Sequence, residues 1–346
     1  MRALFYERFG ETPVVASLPD PEPTENGVVI AVKATGLCRS DWHGWMGHDA
    51  DIELPHVPGH EFAGVIEAVG ASVTAWKVGE RVTAPFVCGC GSCEFCRAGD
   101  QQVCPDQFQP GFTAWGSFAE YVMLEYAEEN LVRLPENLDF LTAASLGCRF
   151  ATSFRAVAHQ ARVEQGQWVA VHGCGGVGLS AVMIAHGLGA RVIGVDLTTE
   201  KLDLARKAGA EITINASEIR EVASSIRELT AGGAHASFDA LGSIVTASNS
   251  IHCLRPRGKH VQIGLMTGAA AHSSVPFDMI VAKELELYGS HSMQAHCYPE
   301  LFAMIGDGRL DPGLLVGRTA SLEEALPALT SEQAFATPGI TVIDEI

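Results

Sequence analysis

The sequence predicts an α/β protein of two domains: an irregular, strand-rich one, and one built on a doubly wound parallel sheet. Three observations carry this. At 346 residues, 47% of them hydrophobic, the chain is too long for one small core and ample for two. The first 150 residues hold short β-type runs broken by Gly and Pro, as in PDPEPTENG and VPGHE. From about residue 165 strand and helix patterns alternate, the mark of parallel βαβ units.

Taken in order, the opening MRALFYERFGE suits an exposed strand and lacks the apolar core of a signal peptide. VVIAVKATG (28–36) and AGVIEAVG (63–70) read as strands. WVAVHG (168–173) and RVIGVD (191–196) are buried-type strands around a small-residue helix at 179–189. A helix at 200–210, a strand at 212–215 and a helix at 218–230 follow. Strands in 237–242, 259–265 and 285–290 bring the series to about six. In the tail, Ser321 and Glu324 are spaced as a capping box, and GITVIDEI closes the chain as a strand.

Composition excludes several functions. With 23 Lys plus Arg against 41 Asp plus Glu, the net charge of -18 offers no footprint for nucleic acid or anionic membrane. No run approaches the roughly 20 apolar residues of a spanning helix, so a cytoplasmic protein is expected. Of ten cysteines, five lie within Cys88 to Cys104, and in a reducing compartment such clustering argues for metal rather than disulfides.

Cys90, Cys93, Cys96 and Cys104 supply the four-thiolate shell of a structural zinc, with no position left for substrate. Cys88 reads as a bystander, since it would crowd two ligands through a single Gly. Cys38, His60 and Glu61 offer sulfur, imidazole and carboxylate from separate loops, a mixture typical of a catalytic zinc. Spacing alone leaves open that they are structural residues. Gly173, Gly175, Gly176, Val177 and Gly178 form a G-x-G-x-x-G turn directly after a strand, where backbone N–H groups and a helix N-terminus can meet a pyrophosphate. Asp196 closes the next strand, placed to hold ribose hydroxyls and repel a 2'-phosphate, which predicts NAD over NADP. It can also cap the following helix.

These segments together resemble the zinc-containing alcohol dehydrogenases of the medium-chain dehydrogenase/reductase superfamily, through GLCRSDWH, PGHEFAGVI, the four-cysteine lobe, LGCRFATSFRAV and GCGGVGLSAV followed by VIGVD. The resemblance implies a GroES-like β-barrel catalytic domain at 1–149 and 292–346, a Rossmann domain at 150–291, and substrate between them. It implies Cys38, His60 and Cys148 as ligands of the catalytic zinc, with water or Glu61 completing the shell, hence two zinc ions per chain. The thiol of Cys148, where polyol dehydrogenases of the superfamily carry a carboxylate, tilts the reading toward alcohol dehydrogenases proper.

By the same resemblance Ser40 and His43 form a proton relay, flanked by Trp42 and Trp45, Asp41 orients His60, and Lys201 contacts the adenosine ribose. Phe86 and Trp115 fall near substrate-lining positions. Arg149 departs from the family pattern: it could favour an acidic substrate group, contact the cofactor, or turn outward into a surface salt bridge, the last being the expectation. The implied activity is reversible hydride transfer between a primary or secondary alcohol and NAD, giving an aldehyde or ketone, in a homodimer or homotetramer. The alternatives are a polyol or amino-alcohol dehydrogenase and a non-catalytic NAD-binding zinc protein.

Overall fold

The computed structural model describes every residue except 268–270, 272–273, 332–334 and 336. It divides into two units, Met1–Ala151 with Ser292–Phe302 and Val316–Ile346, and Thr152–His291 with Ala303–Leu315. The sequence assigns 292–346 whole to the first domain. The structure instead gathers Ala303–Leu315 with the second unit, because Leu310 is buried and its side chain closes on Gly187.

In the first unit a mostly antiparallel sheet runs in the order Val316–Ser321, Ile340–Glu345, Val28–Leu37, Phe62–Val69, Arg81–Thr83, Val132–Arg133, and Tyr121–Leu124 also pairs with Val28–Leu37. Val28, Ile30, Phe62, Ile66, Val82, Val122 and Leu124 from its strands pack into one core. The strand Arg2–Phe5 is not exposed as expected. It pairs with Val14–Ser17, Leu4 N–H donates to Phe118 O at 2.8 Å, and Ala3 and Leu4 are fully buried.

The second unit is a six-stranded parallel sheet ordered Ile212–Asn215, Arg191–Asp196, Trp168–His172, Ala234–Asp239, Leu254–Gln262, Glu286–Gly289. This is the doubly wound arrangement, whose order reverses beside the first strand, Trp168–His172. All five residues of that strand are buried, as a central parallel strand demands. Helices Gly176–Gly187, Thr199–Lys207 and Val222–Leu229 overlap the helices expected at 179–189, 200–210 and 218–230, the first starting three residues earlier than expected. Helices Ile244–His252 and Phe277–Lys283 escaped that reading; the second is only seven residues long and buries none of them fully, although Met279 and Ile280 pack against the core.

Candidate active site

One cluster is assembled from three segments of the first unit. Cys38 ends the strand Val28–Leu37 and caps the helix Arg39–Trp45, His60 and Glu61 precede the strand Phe62–Val69, and Cys148 lies in a π-helical turn at Leu146–Phe150. Cys38, His60, Glu61 and Cys148 each offer one ligand atom, all within 4.8 Å of one another. π-Turns recur at functional sites because the widened turn re-aims side chains.

Asp41 organises the cluster. One oxygen accepts the Cys38 N–H at 2.8 Å; the other accepts the Gly59 N–H at 3.1 Å and lies 2.9 Å from His60 Nδ1. With Nδ1 donating to this carboxylate, His60 presents Nε2 to the sulfurs. Nε2 is buried and has no hydrogen-bond partner. An orphaned imidazole nitrogen among two thiols is costly unless a cation takes it, so this donor set fits a zinc ion.

Protonation directions agree. The Cys148 thiol hydrogen-bonds Cys38 and, with His60 and Arg149, holds Cys38 well below the ordinary thiol range despite burial. Burial opposes charge on His60, but Asp41 and Cys38 outweigh it and push the imidazole up. A metal ion would occupy the space of the protons shared here, since its ligands must be deprotonated.

Arg149 corrects the expectation of a surface salt bridge. It is 7% exposed, and Glu61 beneath it is fully buried. Its Nε donates to Glu61 Oε1 at 3.0 Å, a second guanidinium nitrogen pairs with Oε2, Nη1 donates to Leu37 O at 2.9 Å, and its backbone N–H donates to Oε1 at 2.9 Å. Gly36 makes room: a Cβ there would meet Glu61 Oε2 at 2.4 Å. Both Glu61 oxygens are thus engaged by Arg149, which opposes the carboxylate's use as a metal ligand.

Around the cluster, His60 packs against Phe112 and Phe86 with ring centroids 4.9 and 5.8 Å away. Ile52, Phe86, Val87, Phe112 and Cys148 form one apolar group. Phe112 was not anticipated; it is far from the ligand motifs in sequence and only its fold position brings it in. Trp115 does not join Phe86. Its ring packs edge-on against Phe5, its Nε1 donates to Pro55 O at 3.0 Å, and it lines a separate cavity of about 270 Å³ with Met1, Pro21 and Met123.

Ser40 Oγ lies 3.8 Å from Cys38 Sγ. The rings of Trp42 and His43 meet edge-on, and His43 Nδ1 lies 3.0 Å from Nδ1 of the exposed His48. Trp45 is turned away into the core, its Nε1 donating to Glu11 O at 2.6 Å.

The sulfurs of Cys90, Cys93, Cys96 and Cys104 also lie within 4.8 Å of one another. Cys93 and Cys104 are 3.7 Å apart. A tetrahedral ion with bonds of about 2.3 Å separates its sulfurs by about 3.8 Å, so the pocket fits zinc. Cys88 lies outside the set, its thiol donating to Pro85 O.

In the second unit the strand Trp168–His172 feeds the loop His172–Gly175 and the helix Gly176–Gly187. Gly173 holds a φ of +92°, and a Cβ on Gly178 would lie 1.7 Å from Gly173 O, so both positions require glycine. No side chain caps the helix, and the space beside Gly175 is open. Such a loop and uncapped helix N-terminus could hold a dinucleotide pyrophosphate. Asp196 Oδ2 accepts the Cys174 N–H and Oδ1 the Leu197 N–H, both at 2.7 Å, which fixes the carboxylate while leaving lone pairs for ribose hydroxyls. Lys201 sits in the first turn of the next helix, Thr199–Lys207.

Comparison with known proteins agrees with this geometry. Residues 24–136 match the alcohol dehydrogenase GroES-like domain and 176–307 the zinc-binding dehydrogenase domain. An alcohol dehydrogenase of Geobacillus stearothermophilus is 35% identical over 77% of this chain and 78% of its own. Among solved structures, an NAD-dependent alcohol dehydrogenase superposes with a TM-score of 0.89 at 30% identity, covering 99% of both chains. The alcohol dehydrogenase TADH of Thermus sp. ATN1 gives 0.91 at 28% identity, covering both chains fully.

Proposed function

The chain belongs to the zinc-binding alcohol dehydrogenases of the medium-chain dehydrogenase/reductase superfamily, and from that premise we propose an NAD-dependent enzyme that interconverts a primary or secondary alcohol with its aldehyde or ketone. The observation that carries the catalytic reading is the orphaned, buried Nε2 of His60 facing the sulfurs of Cys38 and Cys148. When bound, zinc supplies a Lewis acid for the alcohol oxygen and the nicotinamide accepts the hydride. A second zinc on Cys90, Cys93, Cys96 and Cys104 would stabilise a lobe with little apolar content of its own.

This chain's residues do the rest. Cys38, His60 and Cys148 hold the metal, and Asp41 fixes the His60 ring. Glu61, engaged by Arg149, serves as a buried counter-ion instead of completing the shell. Ser40 accepts the hydroxyl proton and His43 passes it outward. Phe86 and Phe112 wall the imidazole side with apolar surface, which excludes water and favours substrates with apolar substituents. The Gly173–Gly178 loop takes the pyrophosphate, and Asp196, with Lys201 beside it, takes the adenosine ribose, favouring NAD over NADP.

A homo-oligomer joined at the sheet edge is supported by the terminal strand Glu286–Gly289 and by Phe277 and Val281, 71% and 77% exposed on the nearby helix. Among the described residues no helix is long and apolar enough to cross a membrane, and we place the enzyme in the cytoplasm.

The test is NADH formation by the purified protein with primary, secondary, aromatic and polyhydric alcohols, repeated with NADP and after zinc chelation. Chelator-sensitive turnover with NAD on simple alcohols is the expected result. Turnover confined to polyols or to NADP, or none in protein holding both zincs, would overturn the reading.

A further inference from the structure

The parallel sheet has a second feature at the end opposite the Gly173–Gly178 loop, where its strands begin. There Gln167, His235, Arg255, Pro256, Arg257 and Lys259 line an open cavity of about 420 Å³. In a chain of net charge -18, three cations and an imidazole share this one spot.

His235 is oriented by two contacts. Its Nδ1 accepts the Trp168 N–H at 3.0 Å, which leaves the ring proton on Nε2. Yet a guanidinium nitrogen of Arg255, itself only a donor, stands 2.7 Å from Nε2. Two N–H donors therefore point into the same space at the edge of the cavity. Burial and the Arg255 charge push the His235 pKa down, which favours the neutral ring.

The backbone supports the same reading. Ala234 pairs with Leu254 and Ala236 with Lys259, so Arg255 to Gly258 bulge out of the ladder. Arg257 holds a φ of +64°, a left-handed conformation unfavourable for any residue with a Cβ, and such strain gathers at binding sites. Lys259 Nζ is fixed by Ala161 O at 2.7 Å, while Arg257 pairs with the exposed Glu284, a contact that solvent screens, and also feels the charge of Glu286.

We propose that this cavity is a second binding site, distinct from the dinucleotide cradle, for phosphate or a small phosphate monoester. Its oxygens accept from His235 Nε2, the Arg255 fork and Lys259, donors that all line the one cavity. A five-residue strand separates the two sheet ends by roughly 15 Å, so one phosphate cannot serve both. The cavity exceeds the size of a lone phosphate and leaves room for the organic part of a monoester.

The experiment titrates inorganic phosphate and, separately, glycerol phosphate into the zinc-replete full chain in phosphate-free buffer. The readout is the His235 ring NMR signal, assigned through His235→Gln. A saturable shift is expected, with affinity falling about tenfold in Arg255→Gln. Arg257→Gly should weaken binding less, by removing a positive charge that lines the cavity without being one of the phosphate's donors, while raising Tm because glycine adopts the left-handed backbone freely. Tighter glycerol phosphate identifies a monoester as ligand, and tighter phosphate the free ion. No saturable shift, binding that leaves the His235 signal unmoved, or unchanged affinity in both variants overturns the proposal.

Discussion

Replacing Arg149 with Met is the sharpest perturbation of the cluster, because it strands a carboxylate that has no route to water. Glu61 is fully buried, and in the native chain its two oxygens receive three donors from Arg149, one of them the backbone N–H that survives the change. The same substitution frees Leu37 O from Nη1. Removing one member of a buried pair costs about 3–5 kcal/mol, since the remaining charge is left uncompensated. In a unit of this size that lowers Tm by roughly 6–20 °C. The assay is scanning calorimetry of the zinc-replete protein on wild type, Arg149→Met, Glu61→Gln and the double variant. If the penalty is the stranded charge, Arg149→Met/Glu61→Gln is more stable than Arg149→Met alone, despite carrying one more substitution. A loss below about 1 kcal/mol in Arg149→Met, where buried-pair cases lie well above it, would refute the reasoning. So would a double variant no more stable than the single.

Acid should weaken the second unit through His172, whose pKa burial lowers to about 4, with His260 shifted the same way. The folded ring stays neutral while the unfolded one protonates near pH 6.5, so stability is complete above that pH and falls by up to roughly 3 kcal/mol as pH drops toward 4; denaturation curves at pH 7 and 5 should differ less in His172→Gln. Asp196→Ala should narrow the preference for NAD over NADP, read as the ratio of kcat/KM for the two cofactors, and an unchanged ratio removes the residue from that role. Phe112→Ala opens the wall beside His60 and should raise KM for alcohols with apolar substituents more than for ethanol, as steady-state kinetics would reveal.

The parallel sheet was legible because buried strands and amphipathic helices leave continuous and periodic apolar patterns, and the glycine turn lay in its expected context. The four-cysteine lobe was legible for a different reason: its donors are close in sequence. Cys38, His60 and Cys148 are not: residue types alone suggested Cys38 with His60, and only a motif resemblance added Cys148 before the fold brought all three within reach of one another. Arg149 was misjudged because a buried arginine needs a partner, and the partner, Glu61, had been read as a metal ligand. Phe112 and Trp115 show the same limit: an aromatic side chain declares burial in sequence, but not which wall it forms. The opening strand was misread because its pairing with Val14–Ser17 and its contact with Phe118 are tertiary.

Zinc content measured beside turnover tests the central claim most directly. Elemental analysis of the purified chain should find two zinc ions, and Cys38→Ser should retain one, bind NADH as wild type does and lose alcohol oxidation. One zinc in the wild type, or Cys38→Ser that keeps near-normal turnover, would contradict the account.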